Sequence, residues 1–167
     1  YTEREWIYRQ AFQMGRHVIG YDLQRVLACV DWFEAQSDDR PVAVAGYGEG
    51  GLMAFHAGAI DPRIDVVLTS GYFDSSDAVW KEPIYRNVWS RLKAFGNAEV
   101  AALISPRKLV IEHAVFPNVS DHKGELATPK LEEVKAELSR IPGQEGFVQL
   151  VGEADPDTSP YAQQTLD

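Results

Sequence analysis

One stretch limits what this chain can fold into more than any other. Val42-Ala43-Val44-Ala45 is a short uncharged run, followed at once by Gly46-Tyr47-Gly48-Glu49-Gly50-Gly51 and then by the apolar run Leu52 to Ile60. A continuous apolar run of this length suits a strand covered on both faces of a parallel sheet. The glycines deliver the chain into a helix, Asp61-Pro62-Arg63 breaks that helix, and Ile64 to Ser70 reads as a second buried strand. The unit is β-turn-α-β, about 30 residues long, which fits a right-handed parallel crossover.

The same alternation continues along the chain. Tyr1 to Gly15 reads as an aromatic-rich helix with Trp6, Ile7, Phe12 and Met14. Asp22 to Gln36 reads as an amphipathic helix, because Leu23, Val26, Leu27, Val30 and Phe33 fall on one stripe. Ser37-Asp38-Asp39-Arg40-Pro41 ends it. Gly71 to Lys81 is polar loop, and two short helices are expected at Tyr85 to Phe95 and Asn97 to Leu103. Lys108 to Glu112 is a third strand and Ala114 to Ala127 is irregular. Thr128 and Pro129 predict a helix start as N-cap and first-turn proline, and Leu131, Val134, Leu138 and Ile141 give that helix a buried face. Phe147 to Val151 is a fourth strand, and a polar segment follows, helical from Pro160. Strands alternating with helices, with no repeat or linker, make residues 1–167 a single α/β domain with a mainly parallel sheet.

Composition removes several function classes. A net charge of −9 opposes a nucleic-acid partner and an anionic membrane surface. No apolar run approaches the roughly 20 residues of a membrane helix, so no membrane insertion is expected. Cys29 is the sole cysteine, which excludes an internal disulfide, and its helical stripe predicts a buried small hydrophobe. With no His-x-x-x-His pair or cysteine cluster, neither a metal site nor a cofactor is expected.

Residues 46–51 satisfy two motifs at once. Gly46, Gly48 and Gly51 meet G-x-G-x-x-G, in which glycines let the backbone approach a pyrophosphate at a helix N-terminus. Gly46 and Gly50 also meet the nucleophile elbow G-x-S-x-G, in which strand and helix nearly touch and flanking residues must be small. In that register Gly48 stands at the nucleophile position. The dinucleotide motif needs an acidic residue at the end of the next strand, but that strand ends Thr69-Ser70-Gly71.

The surrounding blocks resemble the acetyl-xylan-esterase and dienelactone-hydrolase-related branch of the α/β hydrolases. They are Gly15-Arg16, Val30-Asp31-Trp32-Phe33, the elbow itself, Ala59-Ile60-Asp61-Pro62-Arg63-Ile64, Ser70-Gly71-Tyr72-Phe73, Phe95-Gly96, Ala101 to Arg107 and Leu109-Val110-Ile111-Glu112. The resemblance runs over residues 4–117 and implies an α/β-hydrolase fold, a parallel central sheet flanked by helices, running here from the elbow strand to the last strand. With Tyr1 rather than Met at its start, the chain is expected to be part of a larger bacterial-type esterase-related protein, its first strands lying outside this stretch.

The resemblance also implies an ester hydrolase with a Ser-Asp-His triad, in which serine attacks, histidine shuttles the proton and aspartate orients it. Each position is altered here. Gly48 has no side chain with which to form an acyl-enzyme. Glu49 brings a carboxylate beside the old oxyanion site while suiting a helix N-terminus. The acid belongs after Ile111-Glu112, where His113-Ala114-Val115 runs to Phe116-Pro117 without an aspartate, Asp121 being out of place. The histidine belongs after the fourth strand, and none occurs after His122. The expectation is a non-catalytic esterase-like domain with a binding or structural role, its partners being a carbohydrate ester or other small ligand and the rest of a larger polypeptide. The alternatives are an active carboxylic-ester hydrolase with non-standard residues and a nucleotide-binding module using the glycine turn.

Other residues have a bland and a functional reading. Glu112 and His113, at a strand's carboxyl end, are candidates for residual acid–base work or a loop-edge pair. Asp74, Asp77 and Glu82 read as solvated loop in preference to a metal site. Trp80, Tyr85 and Trp89 read as core contacts of cap helices, or as the wall of a carbohydrate cleft.

Overall fold

The computed structural model describes residues 2–36, 40–117 and 124–152. Four strands, β1 (Val42–Tyr47), β2 (Ile64–Ser70), β3 (Lys108–Glu112) and β4 (Val148–Val151), form one parallel sheet in the order β1-β2-β3-β4. The helices are α1 (Glu3–Gln13), α2 (Val18–Gln36), α3 (Glu49–Ile60), α4 (Asn97–Ala102) and α5 (Leu131–Ser139). None is long and apolar enough to cross a membrane.

The register sorts the sheet residues into two faces, since paired residues project to the same side. One face carries Val44, Val67, Leu109 and Val148, then Gly46, Thr69, Ile111 and Leu150. Val67, Leu109 and Ile111 on it are fully buried, and α3, whose Leu52, Phe55 and Ala57 are buried too, packs on this face against β1 and β2. Removing each such large side chain from water is worth about 1.5–3 kcal/mol. Phe55 also meets Phe73 edge-on, with ring centroids 5.6 Å apart. The other face carries Ala43, Val66 and Lys108, then Ala45, Leu68, Val110 and Gln149. Ala43 and Ala45 are exposed there, and Val66, Leu68 and Val110 are half-buried.

The expected burial of β1 on both faces is therefore corrected. All three crossovers step in the same direction, and right-handed crossovers then place every connecting helix on one side. In a parallel sheet whose order does not reverse, the crossover helices leave the second face to segments outside the crossovers.

Other local expectations are corrected by tertiary contacts. Tyr85 to Phe95 is no helix: it holds two 3-10 turns, Ile84–Arg86 and Arg91–Lys93, with Ser90 at φ 67° between them. The loop before it holds a third, Ser76–Lys81. α5 begins two residues after the predicted start, because the Thr128 hydroxyl accepts the Phe116 amide instead of capping the helix. Cys29 is exposed and so is Phe33, since α2 turns Val30 to the core and leaves those residues outside. Residues 37–39, Asp121, His122 and the predicted helix from Pro160 lie outside the described residues.

Candidate functional site at the strand-to-helix elbow

β1 enters the turn through Gly46, whose approach to α3 is so close that a β-carbon there would lie 2.1 Å from the Gly50 carbonyl oxygen. Gly48 has φ 57° and ψ −116°, a backbone state L side chains rarely adopt, and its amide donates to the Ser70 carbonyl at 2.9 Å. α3 begins at once with Glu49, and Leu52 N–H closes the first turn on Gly48. The other close contact is at Gly51, where a β-carbon would lie 2.7 Å from the Ser70 carbonyl oxygen, while Gly50 faces open space. The small-residue requirement expected at Gly50 thus falls on Gly51. Strand, strained turn and helix over a parallel sheet give these residues the strand-turn-helix geometry that a nucleophile elbow requires.

What lies over the elbow comes from the segment after β3. A β-carbon on Gly48 would stand 2.6 Å from Cγ of Pro117. The Tyr47 hydroxyl donates to the Val115 carbonyl at 2.8 Å, and Phe116 is held by Thr128. The stretch His113 to Pro117 is therefore stitched down across the turn.

Glu49 turns sideways into a charged cluster. Its carboxylate accepts from Arg86 Nε at 2.5 Å and faces Arg4 Nη2 at 3.6 Å. Arg86, only 1% exposed, also pairs with Glu82 at 3.3 Å. Arg4 is shared with Asp22 of α2, at 2.8 Å, and lies over the Tyr85 ring. Burial works against the Arg86 charge, but Glu49 and Glu82 outweigh it and hold the guanidinium above its usual range. Burial pushes the Glu82 carboxyl up, opposed by Arg86. The sequence reading missed Arg86 and Arg4. Its one trace was the i,i+4 spacing of Glu82 and Arg86.

The remaining candidates separate. Glu112 ends β3, half-buried, in register with Ser70 on one side and Val151 on the other. His113 is buried, and its Nε2 donates to the Pro129 carbonyl at 2.9 Å, which ties the segment before α5 to the end of β3. Asp74, Asp77 and Glu82, read as solvated loop, line a cavity of about 390 Å³ together with Glu125, Glu133 and Lys81. Burial raises the Asp74 carboxyl. No group among the described residues has the arrangement of a metal site. Tyr85 is core, whereas Trp80 and Trp89 are 71% and 77% exposed, so they are not core contacts.

No protein-family model and no curated protein matches the chain. Several solved structures do. A glucuronoyl esterase of carbohydrate esterase family 15 from Caldicellulosiruptor kristjansonii is 15% identical, with a TM-score of 0.44 over 66% of this chain and 36% of that one. A glucuronoyl esterase from Solibacter usitatus is 18% identical, with a TM-score of 0.48 over 80% of this chain and 42% of that one. A cold-adapted esterase from an Arctic intertidal metagenomic library is 17% identical, with a TM-score of 0.47 over 88% of this chain and 50% of that one. The chain spans between 36% and 50% of the length of these three.

Proposed function

We propose that this chain is a non-catalytic esterase-like domain of the α/β-hydrolase type, kept for binding or for structure within a larger polypeptide. The observation that carries the reading is the elbow itself. The strained turn that would hold up a nucleophile is intact, yet it bears glycine, and the Pro117 ring stands where a side chain would begin. The neighbouring carboxylate is already engaged by Arg86, which leaves it poorly placed as a substitute nucleophile. Its partners in this reading are a carbohydrate ester or other small ligand and the rest of the polypeptide.

The test is hydrolysis of short acyl esters, including acetylated sugars, by the purified chain against a heat-inactivated control. The expected result is no difference. Turnover above the control that disappears in Glu49→Gln, or in His113→Gln, would instead establish an ester hydrolase with non-standard residues. The nucleotide-binding alternative has one observation in its favour: within the turn, Gly46, Gly48 and Gly51 are the positions with no room for a β-carbon, while Gly50 has room. Pro117 above Gly48 and the Glu49 carboxylate beside it both oppose a pyrophosphate there.

A further inference from the structure

His17 sits between α1 and α2, and three separate elements meet on its ring. Its Nδ1 accepts the amide of Ile19 in the first turn of α2, at 3.2 Å, so this nitrogen carries a lone pair. Its Nε2 therefore holds the proton and donates to the carbonyl of Asn87 at 3.3 Å, seventy residues away. Tyr8 of α1 meets the ring edge-on, with centroids 5.1 Å apart. His17 is thus the side-chain N-cap of α2 and a clamp on the turn that carries Arg86.

We propose that His17 is a pH-operated clasp: its neutral ring fastens α1, the start of α2 and the 84–87 turn together, and a proton taken up from solvent at Nδ1 releases α1 from the elbow. Protonation replaces the accepting lone pair with an N–H that points at the Ile19 N–H, so the cap is lost. It also puts a positive charge at the positive end of the α2 dipole. The charged group facing the ring from α1 is Arg4, which adds repulsion. The 84–87 turn presents the Asn87 carbonyl, whose bond survives protonation. The first turn of α2 has no acidic residue to compensate, and Asp22, just beyond it, is already paired with Arg4 and Arg25. Burial, then Arg4, lowers the ring's affinity for the proton against the Asn87 bond, in keeping with this geometry. Because α1 also carries Arg4, which faces Glu49 and covers Tyr85, its release would uncover one flank of the Glu49–Arg86 pair. The device holds whether or not the elbow is catalytic.

The experiment is amide hydrogen exchange on the whole chain at about pH 7.5 and about pH 5.5, corrected for intrinsic rates. The amides of α1 and of the first turn of α2 should lose several-fold, and at most roughly tenfold, protection at the lower pH, while α3 and β2 keep theirs. In His17→Asn, which caps but does not titrate, that loss should vanish. Equal protection at both pH values in the parent chain, or the same loss in His17→Asn, overturns the proposal. A second measurement stands apart from the variant's folding: NMR titration of the His17 ring in the parent chain. A midpoint below 6.5 that moves together with the Ile19 amide supports the clasp, and a midpoint at or above 6.5 overturns it.

Discussion

The Pro117 ring stands 2.6 Å from the point where a side chain on Gly48 would begin. Two independent obstacles therefore meet at one residue, a positive φ and an occupied space. Gly48→Ser should destabilise the chain by about 1–3 kcal/mol from backbone strain alone, with the overlap adding to it. Urea unfolding of Gly48→Ser, Pro117→Ala and the double variant separates the two effects. Pro117→Ala removes the obstructing Cγ, so the double variant should recover roughly 1 kcal/mol relative to additivity. Strict additivity would show that the ring does not obstruct the position.

Arg86 is almost fully buried between two carboxylates. Taking away a buried charge strands its partners, which generally costs about 3–5 kcal/mol. Glu49 and Glu82 keep partial access to water, so Arg86→Met should fall near the lower figure. Combining it with Glu49→Gln and Glu82→Gln should restore much of the loss, since no carboxylate is then left unpaired. A denaturation series that finds the triple variant no better than Arg86→Met alone would refute this account of the cluster.

What the sequence disclosed depended on how local the cause was. Ile64–Ser70 and Lys108–Glu112 are strands with the bounds their apolar runs predict, because glycine and proline punctuate both. The elbow was legible because a strand running straight into a helix needs glycine for purely local reasons. The 84–95 segment was not legible: its helical spacing yields to Arg86, which is drawn inward by a glutamate 37 residues earlier. Pro117 over Gly48 likewise joins residues far apart in the chain, and no spacing rule encodes it. Cys29 and Phe33 were misplaced because an apolar stripe tells which side of a helix is greasy, not how much of it a neighbour covers. The uncovered sheet face follows from strand order, which a list of elements does not contain.

Acid should destabilise the fold through His56. Its Nδ1 donates to the Leu52 carbonyl at 2.9 Å, and burial, with Arg91 nearby, lowers its pKa to about 4 from 6.5. The folded state thus binds the proton less well than the unfolded state. The stability this group contributes is fully present above pH 6.5 and is lost as pH falls towards 4. The thermal midpoint should therefore drop more steeply over that interval in the parent chain than in His56→Leu, which cannot titrate. Parallel pH profiles would show that His56 stays accessible to water.

The two faces of β1 can be told apart with neighbouring residues. Val44 projects to the face under α3, in register with fully buried Val67, while Ala45 projects to the uncovered face and is exposed. A lysine at 44 must bury a charge or push the helix layer away, and should destabilise by about 3 kcal/mol or more. A lysine at 45 can reach water directly and should stay within about 0.5 kcal/mol of the parent. Both changes sit in the middle of one strand, and the β-propensity lost with valine, at most about 1 kcal/mol, is smaller than the expected difference. Chemical denaturation of Val44→Lys and Ala45→Lys reads the difference. Similar losses in both would mean that something covers the second face after all, while the expected asymmetry confirms that every crossover helix lies on one side.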